Sequence, residues 1–457
     1  MKKFNLLVVL AVLSCAGPRV GNIPAGFDPE SFETRKMVEC TPRGGLPNFF
    51  GKLESGVPEV NIAYFGGSIT CQNGYRVLSR EYFASRYPGT RFNEVYAAIG
   101  GTGSDLGAYR CGHDVLSGRP DLVFVEFAVN DSGTEPAVIR RNMEGIVRQI
   151  WAADSSTDII FVYTVTESCQ KNMLDDRMER SSSVMEDIAD YYSIPSVNFG
   201  AGLVPLIENG TLVMKSDSKP LSRVSGSELN VSAEGDGTID GLPVNAEGRI
   251  AFSSDGVHPF ENTGHVLYER ALERSWPMIM ACGKVRPHKI PSPMVEGCLD
   301  KVETVSFEDG RVNVDGEWKL NTSEDPVTSP FLGFSDKFYT FEPGSEISFR
   351  FRGSSAALYD LLGPQSSALT VTVDGEERSN TRFDGYCTYH RLALMGLCSS
   401  LDPEAVHSVT VKVSGSAPDK RGILFDHNKP DYDANPAKYA PLHYFAGCIF
   451  VAGEIVR

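Results

Sequence analysis

The stretch Tyr64–Arg76, YFGGSITCQNGYR, ends an apolar run with two glycines and a serine. Val60–Phe65 has the length and character of a buried strand, and the residues after Thr70 begin a helical pattern. A strand, a sharp turn and a helix, repeated, build a parallel sheet covered on both faces. The chain does repeat them. Apolar runs bounded by turn residues recur at Leu122–Ala128, Ile159–Val165 and Pro195–Phe199, with a weaker one at Arg91–Ala97. Asp121–Val129, DLVFVEFAV, is apolar almost throughout, as a strand covered on both faces should be. Helical stretches fall between the strands at Tyr75–Tyr87, Leu106–Leu116, Pro136–Ala153 and Asp176–Tyr192, and Asn262–Ala281 reads as a closing helix. This pattern predicts a doubly wound α/β domain over 59–282. In such sheets ligands bind beyond the carboxyl ends of the strands. Ser68 and Asn130 each follow a predicted strand and share that edge. Thr70–Arg76 starts the first helix, with Tyr75 and Arg76 as candidates to face a substrate.

The rhythm breaks at about 209–252, a segment rich in Gly, Ser and Asp that reads as an insertion with a β-hairpin. Residues 283–300 begin GKVRPHKIPSP, with three prolines and no apolar period, and read as a linker. From 301 to 457 the period becomes two, as in SALTVTVDGEE and HSVTVKVSG. This predicts an all-β sandwich or jelly roll.

Lys2 and Lys3 precede a short apolar run, Phe4–Leu13, the form of an export signal rather than a membrane span. VLSC at Val12–Cys15 resembles a bacterial lipobox, with Cys15 as the lipidated residue of a periplasmic or cell-surface protein; residues 16–58 then form a lead-in. Oligomeric state does not follow from the sequence. The net charge of −16 argues against a nucleic-acid partner, since phosphate binding needs basic patches. Ten cysteines occur without a CxxC pair, so no zinc site is suggested. Cys282 with Cys298, and Cys387 with Cys398, are the sequence-near candidates for disulfides.

Four stretches carry the chemistry: GGSIT at Gly66–Thr70, IGGTGSDLG at Ile99–Gly107, VEFAVND at Val125–Asp131, and SSDGVHPFENTGH at Ser253–His265. Each alone is ordinary turn or capping sequence. Together they supply the parts of serine ester hydrolysis. That reaction needs an exposed serine, a histidine base, a carboxylate to orient the base, and donors aimed at the oxyanion. Ser68 can be the nucleophile, His258 the base and Asp255 its partner. The N–H groups of Ser68 and Gly101 and the amide of Asn130 can form the oxyanion hole. Several glycines compete for the second position. His113 and His265 read as structural. The mechanism requires no metal or cofactor.

The four blocks, in this order, resemble those of the SGNH, or GDSL-type, hydrolases. The resemblance covers about Val60–Ala281. It implies a flavodoxin-like α/β/α domain, and it assigns the named Ser, Gly, Asn and His to Ser68, Gly101, Asn130 and His258, with Asp255 three before the histidine. GGSIT replaces GDSL, a variant associated with the carbohydrate-active branch, and Ala128 stands where glycine is usual. The resemblance implies ester hydrolysis. Export, the GGSIT variant and the appended β domain favour O-acetyl esters of carbohydrates. Trp318, Tyr386, Tyr389, Tyr432 and Tyr444 are candidates to stack on sugar rings. A lipase or thioesterase of the same family, and a sugar-binding module without activity, remain as alternatives.

Overall fold

In a computed structural model the described residues are 21, 23, 26–216 and 237–457. Cys15 and the middle of the 209–252 insertion lie outside them.

The first domain is built on six strands: β1 (Cys40–Thr41), β2 (Glu59–Gly66), β3 (Arg91–Ala98), β4 (Leu122–Glu126), β5 (Asp158–Tyr163) and β6 (Ser196–Asn198). Their order is β1-β6-β5-β4-β2-β3. The short edge strand β1 is antiparallel, and the other pairings are parallel. Chain order reverses between β2 and β4, so a crevice opens where the turns after these two strands diverge. β4 and β5 are buried along their whole length, as the unbroken apolar run predicts. Helix Pro136–Ala153 starts on a proline, whose fixed φ suits a first turn, and buries Ile139, Met143, Ile146 and Ile150.

Within the expected insertion, Leu212–Lys215 pairs in parallel with Ile250–Ser253. A small hairpin, Thr238–Ile239 with Leu242–Pro243, turns at Asp240 and Gly241, both at positive φ. Residues 283–300 are laid along helix Pro136–Ala153. His288 stacks on Trp151 at 4.4 Å between centroids and bonds Asp158 at 2.7 Å. Arg148 donates to the carbonyl of Pro291 at 2.7 Å and to Asp300 at 2.9 Å.

The second domain is antiparallel and all-β. Its two long strands, Glu346–Leu362 and Tyr444–Val456, link the others into one hydrogen-bonded network of ten strands. The first half of Glu346–Leu362 pairs with Val406–Val413, and the second half pairs with Arg391–Cys398. A core of Ile347, Phe351, Leu369, Val411 and Ile449 fills the domain. The α/β core also runs on into Phe338, Tyr359, Leu392 and Phe450. At this junction Tyr109 stacks on Phe450 at 5.4 Å, and its hydroxyl meets that of Ser355 at 2.8 Å. The domains therefore share a packed interface instead of hanging on a free linker. The cysteine pairs suggested by sequence proximity are not bonded to each other.

Candidate active site

Ser68 is the first residue of a one-turn helix, Ser68–Cys71, directly after β2. The two glycines before it are required by space. A Cβ on Gly66 would lie 2.5 Å from the Thr70 hydroxyl, and one on Gly67 would lie 2.1 Å from Oδ1 of Asn130. These contacts let the strand turn sharply and bring the Asn130 amide against the serine turn.

His258 and Asp255 arrive from the far end of the domain, on the loop after Ile250–Ser253. Gly256 at φ +83 turns this loop, and a Cβ there would sit 2.7 Å from Glu167. The Ser253 hydroxyl accepts from Gly256 N–H at 2.9 Å and donates to the Met214 carbonyl at 2.7 Å, which fixes the loop base. Nε2 of His258 then stands 2.8 Å from Oγ of Ser68, and Nδ1 stands 2.7 Å from Oδ2 of Asp255. Oδ1 of Asp255 accepts the N–H groups of Val257 and His258, each at 2.8 Å. Burial pushes this carboxyl up, but the bonds from His258 and the two backbone donors outweigh it and hold it below its usual range. With Asp255 ionised, Nδ1 carries the imidazole proton, so Nε2 is left to accept from serine.

Asn130 opens the turn Asn130–Gly133 after β4. Gly101 lies in the loop after β3 at φ +73, where a Cβ would meet open space. Gly103 differs: a Cβ there would lie 2.3 Å from Oδ1 of Asp131. That oxygen accepts the N–H of Ser104 at 3.0 Å and ties the glycine loop to the turn after β4. Of the competing glycines, Gly101 is thus the one with free space, while Gly103 is packed. Gly101 and Asn130 line one cleft of about 300 Å³ together with Leu362, Arg391 and Leu392 of the second domain.

The structure thus brings Ser68, Asp255, His258, Gly101 and Asn130 to one edge of the sheet. Tyr75 and Arg76 do not face this site; both are buried. Arg76 pairs with Glu94 and donates to the Thr70 carbonyl at 3.1 Å, so it braces the turn from behind. His265 is fully buried and accepts the Tyr75 N–H at 3.2 Å. His113 pairs with Asp114 at 2.6 Å on helix Ser104–Asp114. Among the described residues no cluster of three or more His, Cys, Asp or Glu is placed to hold a metal ion.

Two further residues at this edge were not singled out from the sequence: Glu126, which accepts the Thr70 hydroxyl, and Arg391, which lines the cleft. Glu126 had a signal: it is a lone acid in an otherwise apolar strand. Arg391 had none, because only the docking of the second domain brings it to the cleft.

Of the aromatic residues suggested for sugar stacking, Tyr444 is buried, Tyr432 packs on Tyr439 at 4.8 Å, and Trp318 lies against Phe341. Tyr386 and Tyr389 are 52% and 56% exposed. Phe425, also exposed, meets Tyr386 at 4.7 Å, and Arg391 lies over the Tyr386 ring at 5.7 Å.

Two solved structures share the two-domain fold. One is described as a two-domain esterase (CEX) active on acetylated mannans (TM-score 0.67, 18% identity, 93% of this chain and 100% of that one). The other is the same esterase co-crystallized with mannopentaose (TM-score 0.66, 18% identity, with the same coverage). At this identity the likeness is one of fold. No curated protein matches the chain in sequence. Residues 64–235 match the model of the GDSL-like Lipase/Acylhydrolase family, a segment that ends before Asp255 and His258. Over those residues the chain carries a domain of the GDSL-like lipase/acylhydrolase family, which places it among the carboxylic ester hydrolases.

Proposed function

We propose that this protein removes short acyl groups, chiefly O-acetyl, from a carbohydrate by serine catalysis. The observation that carries the reading is the unbroken chain from Asp255 through His258 to Ser68, at 2.7 and 2.8 Å. Ser68 Oγ attacks the acetyl carbonyl and passes its proton to His258 Nε2. Asp255 holds Nδ1–H and stabilises the imidazolium. The oxyanion faces the N–H groups of Ser68 and Gly101 and the amide of Asn130. On collapse the sugar oxygen leaves with the proton from His258, and an acetyl-serine remains. Water, activated by the same imidazole, then releases acetate.

The second domain supports a carbohydrate substrate. Its Leu362, Arg391 and Leu392 wall the cleft beside Gly101 and Asn130. Exposed Tyr386 and Phe425 continue outward from Arg391, and Tyr389 is exposed nearby in the chain, flat apolar faces of the kind that stack on sugar rings. The fold shared with an esterase active on acetylated mannans makes acetylated mannan the first polymer to try.

The experiment is acetate release from acetylated mannan and xylan, and turnover of p-nitrophenyl acetate against longer acyl esters, with Ser68→Ala alongside. Expected is short-chain turnover that the variant loses by about three orders of magnitude or more. Equal activity in the variant would sink the assignment. Glycan binding without turnover would favour a binding module, and a preference for long chains would favour a lipase.

We also propose export and tethering through Cys15, on the charge and apolar pattern of residues 1–15. Cys15→Ser should move the protein from the membrane fraction to the soluble one; unchanged membrane association would refute the anchor.

A further inference from the structure

We infer that Glu126 is a positioning residue for Ser68: from beneath, its carboxylate holds the turn that carries the nucleophile. The inference rests on the reading of Ser68 as nucleophile.

Glu126 is the last residue of β4, and its Cα partner across the sheet is Gly66, two residues before Ser68. It is 1% exposed. Oε2 accepts the Thr70 hydroxyl at 2.8 Å, and Oε1 accepts the Thr164 hydroxyl at 2.8 Å. The Gly67 backbone also favours the ionised carboxylate. The Thr70 hydroxyl has one proton. When that proton goes to Glu126, the 2.7 Å contact with Tyr75 Oη must run from tyrosine to threonine. A directed chain thus leads from Tyr75 through Thr70 to Glu126. It spans the ends of β2, β4 and β5 at the crevice. Gly66 and Thr70 flank the serine, so Glu126 holds the turn through its carboxylate at Thr70 and through strand pairing at Gly66.

Fold support alone does not account for this residue. Its hydrogen-bond donors are two hydroxyls, both neutral. A buried carboxylate held only by neutral donors remains costly to desolvate. A valine would fill an apolar strand at lower cost, but it could not accept the two threonine hydroxyls. Burial pushes the carboxyl up to about 7, against the pull of these bonds. The titratable groups whose charges couple to it include Asp131 from the turn after β4, Cys71 and Tyr75 from the segment after β2, and Tyr268 from helix Gly264–Met280. The nearby cations, Arg76 and Arg110, donate to the backbone carbonyls of Thr70 and Gly66 instead. The consequence for chemistry is geometric. If the turn loosens, Oγ drifts from His258 and the Ser68 N–H drifts from the oxyanion. A displacement of about 1 Å can cost about 100-fold in rate.

The test compares Glu126→Gln and Thr70→Val with the native full chain. The probe is an alkyl fluorophosphonate: the Oγ–P bond forms, the P–F bond breaks, fluoride leaves, and the serine proton passes to His258. Its second-order labelling rate reports how well Ser68 is placed. Steady-state turnover of p-nitrophenyl acetate per labelled site, its pH profile and the thermal midpoint are measured in parallel. Expected for Glu126→Gln are labelling and kcat reduced about 10- to 100-fold, with KM within about twofold. The acid limb of its profile should lose one ionisation near 7. Thr70→Val should lower labelling in the same direction. A labelled native protein with an unimpaired Glu126→Gln variant overturns this inference alone. So does a variant whose only change is a lower thermal midpoint with full kcat per labelled site. A native protein that the probe does not label overturns the nucleophile reading, and this inference with it.

Discussion

Nε2 of His258 stands 2.8 Å from Oγ of Ser68 across 190 residues of chain. The contact needs both the turn after β2 and the loop after Ile250–Ser253 to reach the same sheet edge. Asp255 holds the imidazole from the far side and is itself partly open to solvent, its side chain 46% exposed.

Substitution of Asp255 should therefore cost less than loss of the base. Asp255→Asn is expected to lower kcat by about 100- to 10,000-fold, and His258→Ala by as much or more. Because the folded carboxyl titrates below its usual range, Asp255 stays ionised until the pH falls through that lowered value. The kcat/KM profiles of native protein and Asp255→Asn check the loss of this carboxylate.

Gly67 and Gly101 should respond differently to alanine. At Gly67 the new Cβ would sit 2.1 Å from Asn130 Oδ1, so the amide must move; at Gly101 the space is open, and only φ +73 is strained. Gly67→Ala is expected to lose activity about as severely as Asn130→Ala, about 100- to 1,000-fold in kcat. Gly101→Ala should cost about 1–2 kcal/mol of stability with a smaller kinetic effect. Paired kinetics and denaturant unfolding separate the two.

Tyr386→Ala and Tyr389→Ala should raise KM for acetylated polysaccharide several-fold and leave p-nitrophenyl acetate turnover unchanged. Each face is worth about 1 kcal/mol of contact, and a small ester does not reach them. Parallel loss on both substrates would place these rings in the fold and remove them from the binding surface.

Glu269 on helix Gly264–Met280 is 6% exposed, and among the described residues neither carboxylate oxygen has a hydrogen-bond partner. Burial, then the charges of Glu273 and Glu81, push its carboxyl well above 4.5. The folded state thus binds a proton more tightly than the unfolded chain. Stability from this group is complete below about 4.5 and falls as the pH rises from there toward the folded value. Glu269→Gln should raise the thermal midpoint at pH 8, by about 1–3 kcal/mol of stability, and hardly at pH 4. A variant equally stable at both would refute this account.

The α/β class was legible because strands covered on both faces must be apolar throughout, and the chain writes them that way at Val60–Phe65, Leu122–Ala128 and Ile159–Val165. Helix limits were close for the same reason: Pro136 opens its helix in the sequence and in the structure. That Ser68, Asn130 and His258 stand at turns on one sheet edge was legible because glycine turns and a short Asp-x-x-His loop after apolar segments are local patterns. The cysteines were not. Sequence proximity brings Cys387 near Cys398 along the chain, but Cys387 lies in a turn and Cys398 at the far end of strand Arg391–Cys398, and both stay free.

By itself the sequence determined which residue types stand at the sheet edge, since apolar periodicity and turn residues act over a few positions. Only the tertiary structure decided what surrounds them. Glu126 came to accept both the Thr70 and the Thr164 hydroxyl because β2, β4 and β5 end side by side. Tyr75 and Arg76 turned inward because His265 and Glu94 wait there, and Arg391 reached the Gly101–Asn130 cleft because Tyr109 and Phe450 lock the second domain in place. These contacts join residues far apart in the chain, and no local pattern encodes them, because their energy exists only after the elements have packed.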